Sequence, residues 1–448
     1  MKIKLQSSIL VKPAEPTPNQ SLPLSELDMV SGNYFVPLIY IYKPSKDRSY
    51  TSIFDTFQMS LRKVLVPFYP LAGRLSFAGG GGNLQIDCNG KGVELTEAIA
   101  DSAWDEVKET DYADLIPAVD AAADFPELPL LAVRITAFNG GGICLGVRMW
   151  HPAADGLSGS HFYAEWARIA RGETLESHPF IDRKLYSAPA AAAPPPPPEF
   201  EKPPILIGDS GCEKEMKIPI SKAFLRLSKP QIETLKKSAN EKRGSCRGGF
   251  SRFESITAHI WRCTCKARGH KPHQKTRLTT SVDIRRRVDP PLPRTYFGNA
   301  VVDVAAVDCA GDLTSKPLSY AAGRIREAVS KVTPDYINTT VNFLKSVVGS
   351  SSAVDDSLVF TGNPNLTVTS WLSLELNGLD FGWGKEAYMA HVSENCDGDF
   401  VVMPDDEHND DDDDEEKNRH RSVVVAVCLQ EAHMEHFKKI FYQDIIQV

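Results

Sequence analysis

The sequence predicts a mixed α/β protein with two domains, and three observations support this fold class. The chain has 448 residues, whereas one core ordinarily serves a domain of about 200 residues. A strand-like segment, Phe35 to Tyr42, precedes an amphipathic helical pattern from Ser52 to Val66, so strands and helices alternate from the start. The composition then changes sharply at 187–204, where alanine-rich sequence runs into consecutive prolines.

The proline run, Pro194–Pro198, marks the predicted domain boundary. A polyproline segment is stiff, and it can neither continue a helix nor pair in a sheet. We therefore expect residues 187–218 to be a crossover linker. The N-terminal domain is then 1–186 and the C-terminal domain is 219–448.

A glycine run, Gly79–Gly82, is predicted to be a hairpin loop. It precedes the strand-like segment Leu84 to Asp87, and neither a Lys-Ser/Thr pair nor a helix follows it, as a phosphate-binding loop would require. A short glycine-rich connection between strands is typical of a hairpin.

An apolar strand, Ile143 to Trp150, leads directly into His151-Pro-Ala-Ala-Asp155-Gly156. Pro152 and Gly156 end the strand before a helical pattern from Leu157 to Arg171. His151 is therefore expected where a buried strand emerges into a turn, as a candidate general base with Asp155 four residues on. The alternative is a histidine that is merely hydrogen-bonded at a strand end.

The C-terminal half begins with helical patterns at Lys229 to Ser238 and Arg252 to Lys266, followed by a strand at Leu278 to Asp283. Three consecutive arginines, Arg285 to Arg287, come after this strand. The chain lacks the basic surface that nucleic-acid binding requires, so an internal ion pair or an anionic ligand is the expected partner.

The net charge of −8 comes from one place, because ten carboxylates lie between Asp405 and Glu416. This run separates two predicted strands, Phe400 to Met403 and Ser422 to Leu429. Mutual repulsion predicts a disordered acidic loop at 405–416 on the surface.

Other features bound the class of protein. No apolar run has the roughly 18 residues that a membrane helix needs, and the start of the chain resembles neither a signal peptide nor a transit peptide, so a cytoplasmic protein without a membrane or nucleic-acid partner is expected. The nine cysteines fit no zinc or redox spacing and are predicted to be reduced core thiols. No metal and no tightly bound cofactor is implied.

Four motifs together carry a resemblance to a known family: Pro70–Arg74, Trp150–Gly156, Tyr296–Ala300 and Asn377–Lys385, the last containing Asp380-Phe381-Gly382-Trp383-Gly384. In this order and spacing they resemble the plant BAHD acyl-CoA-dependent acyltransferases over nearly the full length of the chain. Further segments look like the spermidine hydroxycinnamoyltransferases of that family: Pro203–Gly208, Cys263–His270, Pro290–Pro293 and Gly378–Glu386.

The resemblance implies two similar-sized domains like those of chloramphenicol acetyltransferase, with the active-site channel at their interface. It implies that His151 is the general base and that no covalent acyl-enzyme forms. Asp155 would be a structural residue that pairs with Arg285. The Asp380–Gly384 motif would be structural as well, with Trp383 a candidate oxyanion donor.

Substrate contacts follow from the same resemblance. Acyl-CoA would be the co-substrate, with Ser251 and Arg252 meeting its phosphates at the start of a helix; the alternative at Ser251 is a helix cap. Family members that use shikimate carry an arginine two residues after a Ser-Trp pair, where this chain has Ser373. A carboxylate acceptor would lose its bidentate partner there.

The predicted enzyme is therefore a monomeric acyltransferase that moves a hydroxycinnamoyl group from CoA to an amine of spermidine. Other acceptors remain alternatives within the family, namely shikimate or quinate, an alcohol or another amine. A non-catalytic ligand-binding relative is the alternative from another class. A serine hydrolase is disfavoured, because Gly156-Leu-Ser158-Gly-Ser160 is not the nucleophile-elbow motif.

Overall fold

The structure is a computed structural model, and the residues that it describes are 1–80, 83–119, 126–183, 197, 201–207, 215, 217–241, 248–348, 362–392, 396–405 and 422–446. Most of the predicted linker at 187–218 lies outside the described residues. The predicted acidic loop does too, apart from Asp405.

Described strands, in chain order, are β1 (Ile3–Val11), β2 (Ser21–Pro23), β3 (Phe35–Tyr42), β4 (Arg74–Phe77), β5 (Leu84–Asp87), β6 (Val93–Ala100), β7 (Leu131–Ala137), β8 (Ile143–Trp150), β9 (Ile220–Leu227), β10 (Lys275–Asp283), β11 (Val301–Cys309), β12 (Leu366–Ser370), β13 (Tyr388–His391), β14 (Asp399–Pro404) and β15 (Val423–Gln430). Described α-helices are α1 (Glu26–Val30), α2 (Tyr50–Val64), α3 (Tyr112–Leu115), α4 (Gly156–Ala170), α5 (Lys229–Asn240), α6 (Arg252–Ala267), α7 (Ala310–Ser315), α8 (Leu318–Ser330), α9 (Pro334–Val348) and α10 (Glu431–Ile446).

These elements form two units of similar size. The first contains Met1–Ser187, Pro291–Ala300 and Leu374–Val392, and the second contains Ala188–Pro290, Val301–Ser373 and Ser393–Val448. The structure therefore corrects one prediction, because the Asp380–Gly384 motif belongs to the first unit and not to the C-terminal domain. The reason is that β13, which follows the motif, pairs antiparallel with β3.

A six-stranded sheet in the order β1-β6-β7-β8-β3-β13 forms the core of the first unit. Strand β8 lies between β7 and β3, and both pairings are antiparallel. This position explains why β8 is apolar along nearly its whole length. Gly146 is required within it, because a Cβ at this residue would lie 2.2 Å from the carbonyl oxygen of Leu115.

Helices α2 and α4 of the first unit pack against each other. The indole N–H of Trp166 on α4 donates to Ser60 Oγ on α2 at 2.9 Å, in a buried setting. A smaller sheet, β2-β5-β4, contains the predicted hairpin, since β4 and β5 pair antiparallel. Gly81 and Gly82 of the predicted hairpin loop lie outside the described residues.

A second six-stranded sheet, in the order β11-β10-β12-β14-β15-β9, forms the core of the second unit. Strand β12 is parallel to both of its neighbours, and the other pairs are antiparallel. Helix α6 is largely buried and contacts α5, α8 and α10. It starts with a capping box in which Ser251 Oγ accepts from Glu254 N–H and Glu254 accepts from Ser251 N–H.

Candidate active site

His151 lies where β8 ends and a single 3-10 turn, His151–Ala153, begins. Its backbone N–H donates to the carbonyl oxygen of Tyr34 at 2.9 Å, and its own carbonyl oxygen accepts from Ala154 N–H at 3.1 Å. The same carbonyl also accepts from Asn299 Nδ2 at 3.0 Å. Three hydrogen bonds of its own N–H and carbonyl groups therefore fix the backbone of His151.

Tyr34 is the aromatic neighbour of this imidazole. The two ring centroids are 5.1 Å apart, and the planes are inclined by 57°. The Tyr34 residue is 51% exposed, so its ring can contact a substrate next to His151. Gly32 makes room for this ring, because it has φ 92° and a Cβ at this position would lie 2.5 Å from Tyr34 Cε1.

Asp155 is buried and uses both carboxylate oxygens on backbone N–H groups. Oδ1 accepts from Ser158 N–H at 2.9 Å, which makes Asp155 the N-cap of α4. Oδ2 accepts from Ala300 N–H at 2.9 Å. These contacts favour the predicted structural role, because the carboxylate connects the start of α4 to the 296–300 segment.

The 296–300 segment, Tyr-Phe-Gly-Asn-Ala, lies beside the His151–Asp155 turn in the first unit. Ser158 Oγ donates to the carbonyl oxygens of Tyr296 and Gly298 at 3.0 and 2.9 Å. Gly298 N–H donates back to Ser158 Oγ at 3.1 Å. Two motifs separated by about 140 residues in the chain thus form one hydrogen-bonded site.

The Asp380–Gly384 motif is built differently. Asp380 Oδ1 accepts from the N–H groups of Gly382 and Gly384 at 2.7 and 3.0 Å, which closes the motif into a turn. Phe381 is fully buried, and its ring contacts the rings of Tyr42, Phe57, Trp166 and Trp383. This aromatic packing agrees with a structural motif.

Tyr42 supports the same turn, because its hydroxyl donates to the carbonyl oxygen of Leu379 at 3.0 Å. Burial raises the pKa of Tyr42 well above the ordinary value of a tyrosine. The side chain therefore stays a neutral hydroxyl, as this hydrogen bond requires.

The turns that carry His151 and Trp383 lie near opposite ends of α4. Asp155, four residues after His151, caps the N-terminus of α4, whereas Arg171 at the other end of α4 donates to the carbonyl oxygen of Asp380. A helix of 15 residues is about 22 Å long. This placement disfavours the predicted oxyanion role of Trp383, because that donor must lie about 3 Å from the reacting oxygen, and the role stays a prediction.

Four predicted site residues lie in the second unit. Arg285 is buried, and its Nη1 donates to Asp283 Oδ1 at 3.0 Å. Ser251 is the N-cap of α6, so the capping alternative is confirmed for its side chain. Arg252 Nη2 donates to the carbonyl oxygen of Ser422 at 3.2 Å, and Ser373 is exposed. The pairing of Arg285 with Asp155 and the CoA contacts stay predictions.

Asn299 is the site residue whose role the sequence did not reveal. It was recognised only as part of the 296–300 motif, yet its amide holds the carbonyl of His151. The available signal was an amide residue inside a motif of otherwise apolar and small residues. No spacing rule connects it to His151, because the two residues are 148 positions apart in the chain.

The described cysteines are free thiols, and five of them are buried, in agreement with the predicted core thiols; Cys212 and Cys246 lie outside the described residues. Within the described part of the chain, no cluster of three or more His, Cys, Asp or Glu side chains could hold a metal ion. None of the described helices is long and apolar enough to cross a membrane.

Comparison with known proteins identifies the family of the chain. The model of the Transferase family matches residues 1–444. A hydroxycinnamoyl-CoA:piscidic acid hydroxycinnamoyltransferase of Actaea racemosa is 37% identical and covers 98% of this chain and 99% of its own. A shikimate O-hydroxycinnamoyltransferase of Nicotiana tabacum is 36% identical, over 99% and 100% of the two chains. A hydroxycinnamoyl-CoA:5-hydroxyanthranilate N-hydroxycinnamoyltransferase of Avena sativa is 34% identical, over 99% and 100%.

Solved structures agree on the fold. Vinorine synthase matches with a TM-score of 0.73 at 24% identity, covering 97% of this chain and 96% of its own. F. graminearum TRI101, solved with coenzyme A and T-2 mycotoxin, matches with a TM-score of 0.78 at 17% identity, over 94% and 97%. The predicted fold class, with two α/β domains like those of chloramphenicol acetyltransferase, is confirmed.

The fold and the family match together define a transferase of the acyl-CoA-dependent class. The chain belongs to the BAHD family of acyltransferases. Acyl-CoA is the co-substrate of this family.

Proposed function

We propose that the chain transfers a hydroxycinnamoyl group from its CoA thioester to an amine of spermidine, with His151 as the general base. The single observation that carries the catalytic part is the position of His151. Its backbone is fixed by Tyr34, Ala154 and Asn299, and its ring lies against the half-exposed ring of Tyr34.

The reaction needs a deprotonated nucleophile held against an already activated carbonyl. The acceptor nitrogen attacks the thioester carbon, and His151 takes the proton that the nitrogen loses. The tetrahedral intermediate then collapses, the carbon–sulfur bond breaks, and the imidazolium returns the proton to the CoA thiolate. The products are an amide and free CoA, and no acyl group passes through the protein.

The proposal includes two sets of contacts that the sequence predicts. Ser251 and Arg252, at the start of α6, would meet the CoA phosphates, because helix N-termini and guanidinium groups attract phosphate. Asp155 would pair with Arg285. Both are contacts that mutation of one residue at a time can test.

The choice of spermidine is supported by Ser373. In family members that use shikimate, the corresponding position carries an arginine for the acceptor carboxylate. A serine hydroxyl cannot replace a bidentate guanidinium, and a cationic acceptor does not need one.

A carboxylate-bearing acceptor is the second candidate, and the relatives support it. The relatives from Actaea racemosa, Nicotiana tabacum and Avena sativa are named for piscidic acid, shikimate and 5-hydroxyanthranilate. The last name describes N-acylation, so acylation of an amine is not confined to polyamine acceptors. All three names agree with the spermidine proposal on the hydroxycinnamoyl donor.

The deciding experiment measures release of CoA thiol from caffeoyl- or coumaroyl-CoA with spermidine, shikimate, piscidic acid or 5-hydroxyanthranilate offered separately. Spermidine-dependent release that His151→Ala abolishes would support the proposal. Release only with a carboxylate acceptor would overturn the polyamine part and keep the enzyme class. If no acceptor gives release and the wild type still binds the acyl-CoA, the non-catalytic alternative is favoured.

The pH dependence separates spermidine from acceptors that react through a hydroxyl group. The amines of spermidine have pKa values of about 10, like a lysine, and only the neutral amine can attack. At a fixed subsaturating spermidine concentration, the rate should therefore rise steeply between pH 7 and pH 9. A hydroxyl acceptor has no such protonated reservoir and should give a flatter profile over this range.

Ser373→Arg tests the acceptor assignment from the other direction. Introducing a guanidinium at this position should increase the release of CoA thiol with shikimate and decrease it with spermidine. Ser373→Gln is the matched control, since it adds a polar side chain of intermediate length without charge. Equal acceptor preference in the wild type and in Ser373→Arg would show that residue 373 does not determine the choice of acceptor.

A further inference from the structure

A buried ion pair lies directly behind the His151 turn. Arg183 Nη1 and Asp28 Oδ2 are 2.8 Å apart, and the two side chains are 1% and 0% exposed. Charged side chains are almost never buried so completely unless they are paired. Arg183 precedes the predicted linker and Asp28 is on α1, so the sequence gives no hint that they meet.

The guanidinium of Arg183 also holds the turn itself. Nη1 donates to the carbonyl oxygen of Pro152 at 3.1 Å, and Nη2 donates to that of Ala153 at 2.6 Å. These are the two residues that follow His151. One planar, multi-donor group thus binds a carboxylate and two backbone carbonyls together.

Asp28 extends the same network to His151 by a second route. Its Oδ1 accepts from the backbone N–H of Asn299 at 2.7 Å and from Asn299 Nδ2 at 3.1 Å. That Nδ2 also donates to the carbonyl oxygen of His151 at 3.0 Å. Arg183 therefore holds the carbonyls of residues 152 and 153. Asn299, which is hydrogen-bonded to Asp28, holds the carbonyl of residue 151.

The network is anchored and tightly packed. Asp28 Oδ2 accepts from Ser25 N–H at 2.8 Å in the capping box of α1, so the carboxylate is fixed to a helix start. Gly298 lies over the guanidinium, where an added Cβ would be 3.4 Å from Arg183 Cζ. Burial and the anchored carboxylate restrict the guanidinium.

We infer that Arg183 and Asp28 are positioning residues for the acyl transfer, because together they fix the backbone that carries His151. The inference rests on the proposed function of His151 as general base. A displacement of about 1 Å at a catalytic group can cost on the order of 10²-fold in rate. Neither residue is assigned a contact with the substrate.

Arg183→Lys is the informative variant. The ammonium keeps the charge paired with Asp28, but a point charge cannot reproduce the planar contacts to two carbonyls. We expect kcat to fall at least tenfold, because a displacement of about 1 Å at the catalytic group has an effect of this size or larger. The KM for acyl-CoA should change less than about twofold, because ground-state binding of the acyl-CoA is not altered.

Arg268→Lys in the second unit is the matched control. Arg268 Nη2 lies 2.8 Å from Asp397 Oδ2 with side-chain exposures of 0% and 4%, and its Nη1 donates to a backbone carbonyl, that of Asn365, at 2.9 Å. Both variants should lower the melting temperature, but only Arg183→Lys should lower kcat of the folded protein. Equal kcat values for the two variants would overturn the inference.

A second readout does not require turnover. With ¹³Cε1-labelled histidine, the His151 resonance is assigned by its absence in His151→Ala. Arg183→Lys should shift or broaden this resonance alone, and Arg268→Lys should leave it unchanged. An unchanged His151 resonance in Arg183→Lys contradicts the positioning role, whereas full activity in His151→Ala contradicts the proposed function itself.

Discussion

Two motifs of the first unit, the His151–Asp155 turn and the Asp380–Gly384 turn, are equally conspicuous in the sequence and have opposite constructions. In the first, the backbone carbonyl of His151 is held by Asn299 and its N–H is held by Tyr34. In the second, the side chains provide the packing, with Phe381 fully buried. The two turns lie near opposite ends of α4.

A motif that presents a side chain for chemistry differs from a structural motif in what holds its backbone. One condition for a catalytic side chain is that it is not needed to hold its own backbone; at His151 the backbone N–H and carbonyl groups make those hydrogen bonds. The carboxylate of Asp380 fails it, because it closes its own turn on Gly382 and Gly384. The rarity of a motif in the sequence does not distinguish a chemical motif from a structural one. The hydrogen-bond partners of its polar groups do.

The largest expected effect is that of His151→Ala. Loss of a general base costs about 10²–10⁴-fold in kcat, or roughly 3–5 kcal/mol of transition-state stabilisation. The melting temperature should change little, because the backbone contacts of residue 151 remain. Single-turnover thiol release and thermal unfolding measure the two quantities, and a strongly destabilised His151→Ala protein would contradict the contrast drawn between the motifs.

Asp155→Ala should cost both stability and activity. It removes the cap of α4, worth about 1 kcal/mol, and leaves the buried Ala300 N–H without its acceptor, worth about 1–3 kcal/mol more. Urea unfolding should therefore show a loss of roughly 2–4 kcal/mol in the free energy of unfolding. Activity should fall too, because the 296–300 segment carries Asn299.

Ser49→Ala is the control for Asp155→Ala. Ser49 caps α2 of the same unit through its bond with Ser52 N–H at 3.2 Å and has no described second contact of this kind. Its loss should cost only the capping contribution of about 1 kcal/mol. Equal losses for the two variants would show that the contact from Asp155 to Ala300 contributes nothing.

Sequence reasoning predicted the elements that local pattern determines. The predicted strands at Phe35–Tyr42 and Ile143–Trp150 match β3 and β8, and the helix predicted from Leu157 is α4. These succeeded because apolar periodicity and the breaks at Pro152 and Gly156 are local signals. His151 was placed correctly at the strand end for the same reason.

Non-local pairing was not predictable in this way. The Asp380–Gly384 motif was assigned to the wrong domain because nothing in the sequence shows that β13 pairs with β3. Asn299 and Asp28 are 271 residues apart in the chain, and a charge in a sequence does not reveal that it is buried. The oxyanion role of Trp383 stays a prediction, since a motif in the sequence gives no distance to another motif.

The contrast between chemical and structural roles extends to the histidines. His259 in the second unit is buried, with Nε2 2.8 Å from the carbonyl oxygen of Phe441, and burial lowers the pKa of His259 to about 4. Because this pKa is lower in the folded state, the unfolded chain binds the proton first. The stability that His259 contributes is therefore present above pH 6.5 and is lost as the pH falls toward 4.

His259→Gln should flatten this dependence. Between pH 7 and pH 5 the wild type should lose about 2 kcal/mol more unfolding free energy than the variant, while thiol release at pH 8 should be the same. Urea unfolding at the two pH values measures the first quantity, with His178→Gln at an exposed position as control. Parallel stability curves for wild type and His259→Gln would exclude His259 as the titrating group.

The smallest expected effect, and the sharpest test of the comparison, is that of Trp383→Phe. An oxyanion donor is worth about 10²–10³-fold in kcat, and phenylalanine lacks the indole N–H. The structure instead predicts a change below about threefold, because Trp383 stacks on Phe381 and contacts Phe57 and Tyr42, and a phenyl ring retains part of this packing. A hundredfold loss of kcat in a protein of unchanged melting temperature would mean that the two turns act on one reaction centre, and that their separation along α4 is not maintained during catalysis.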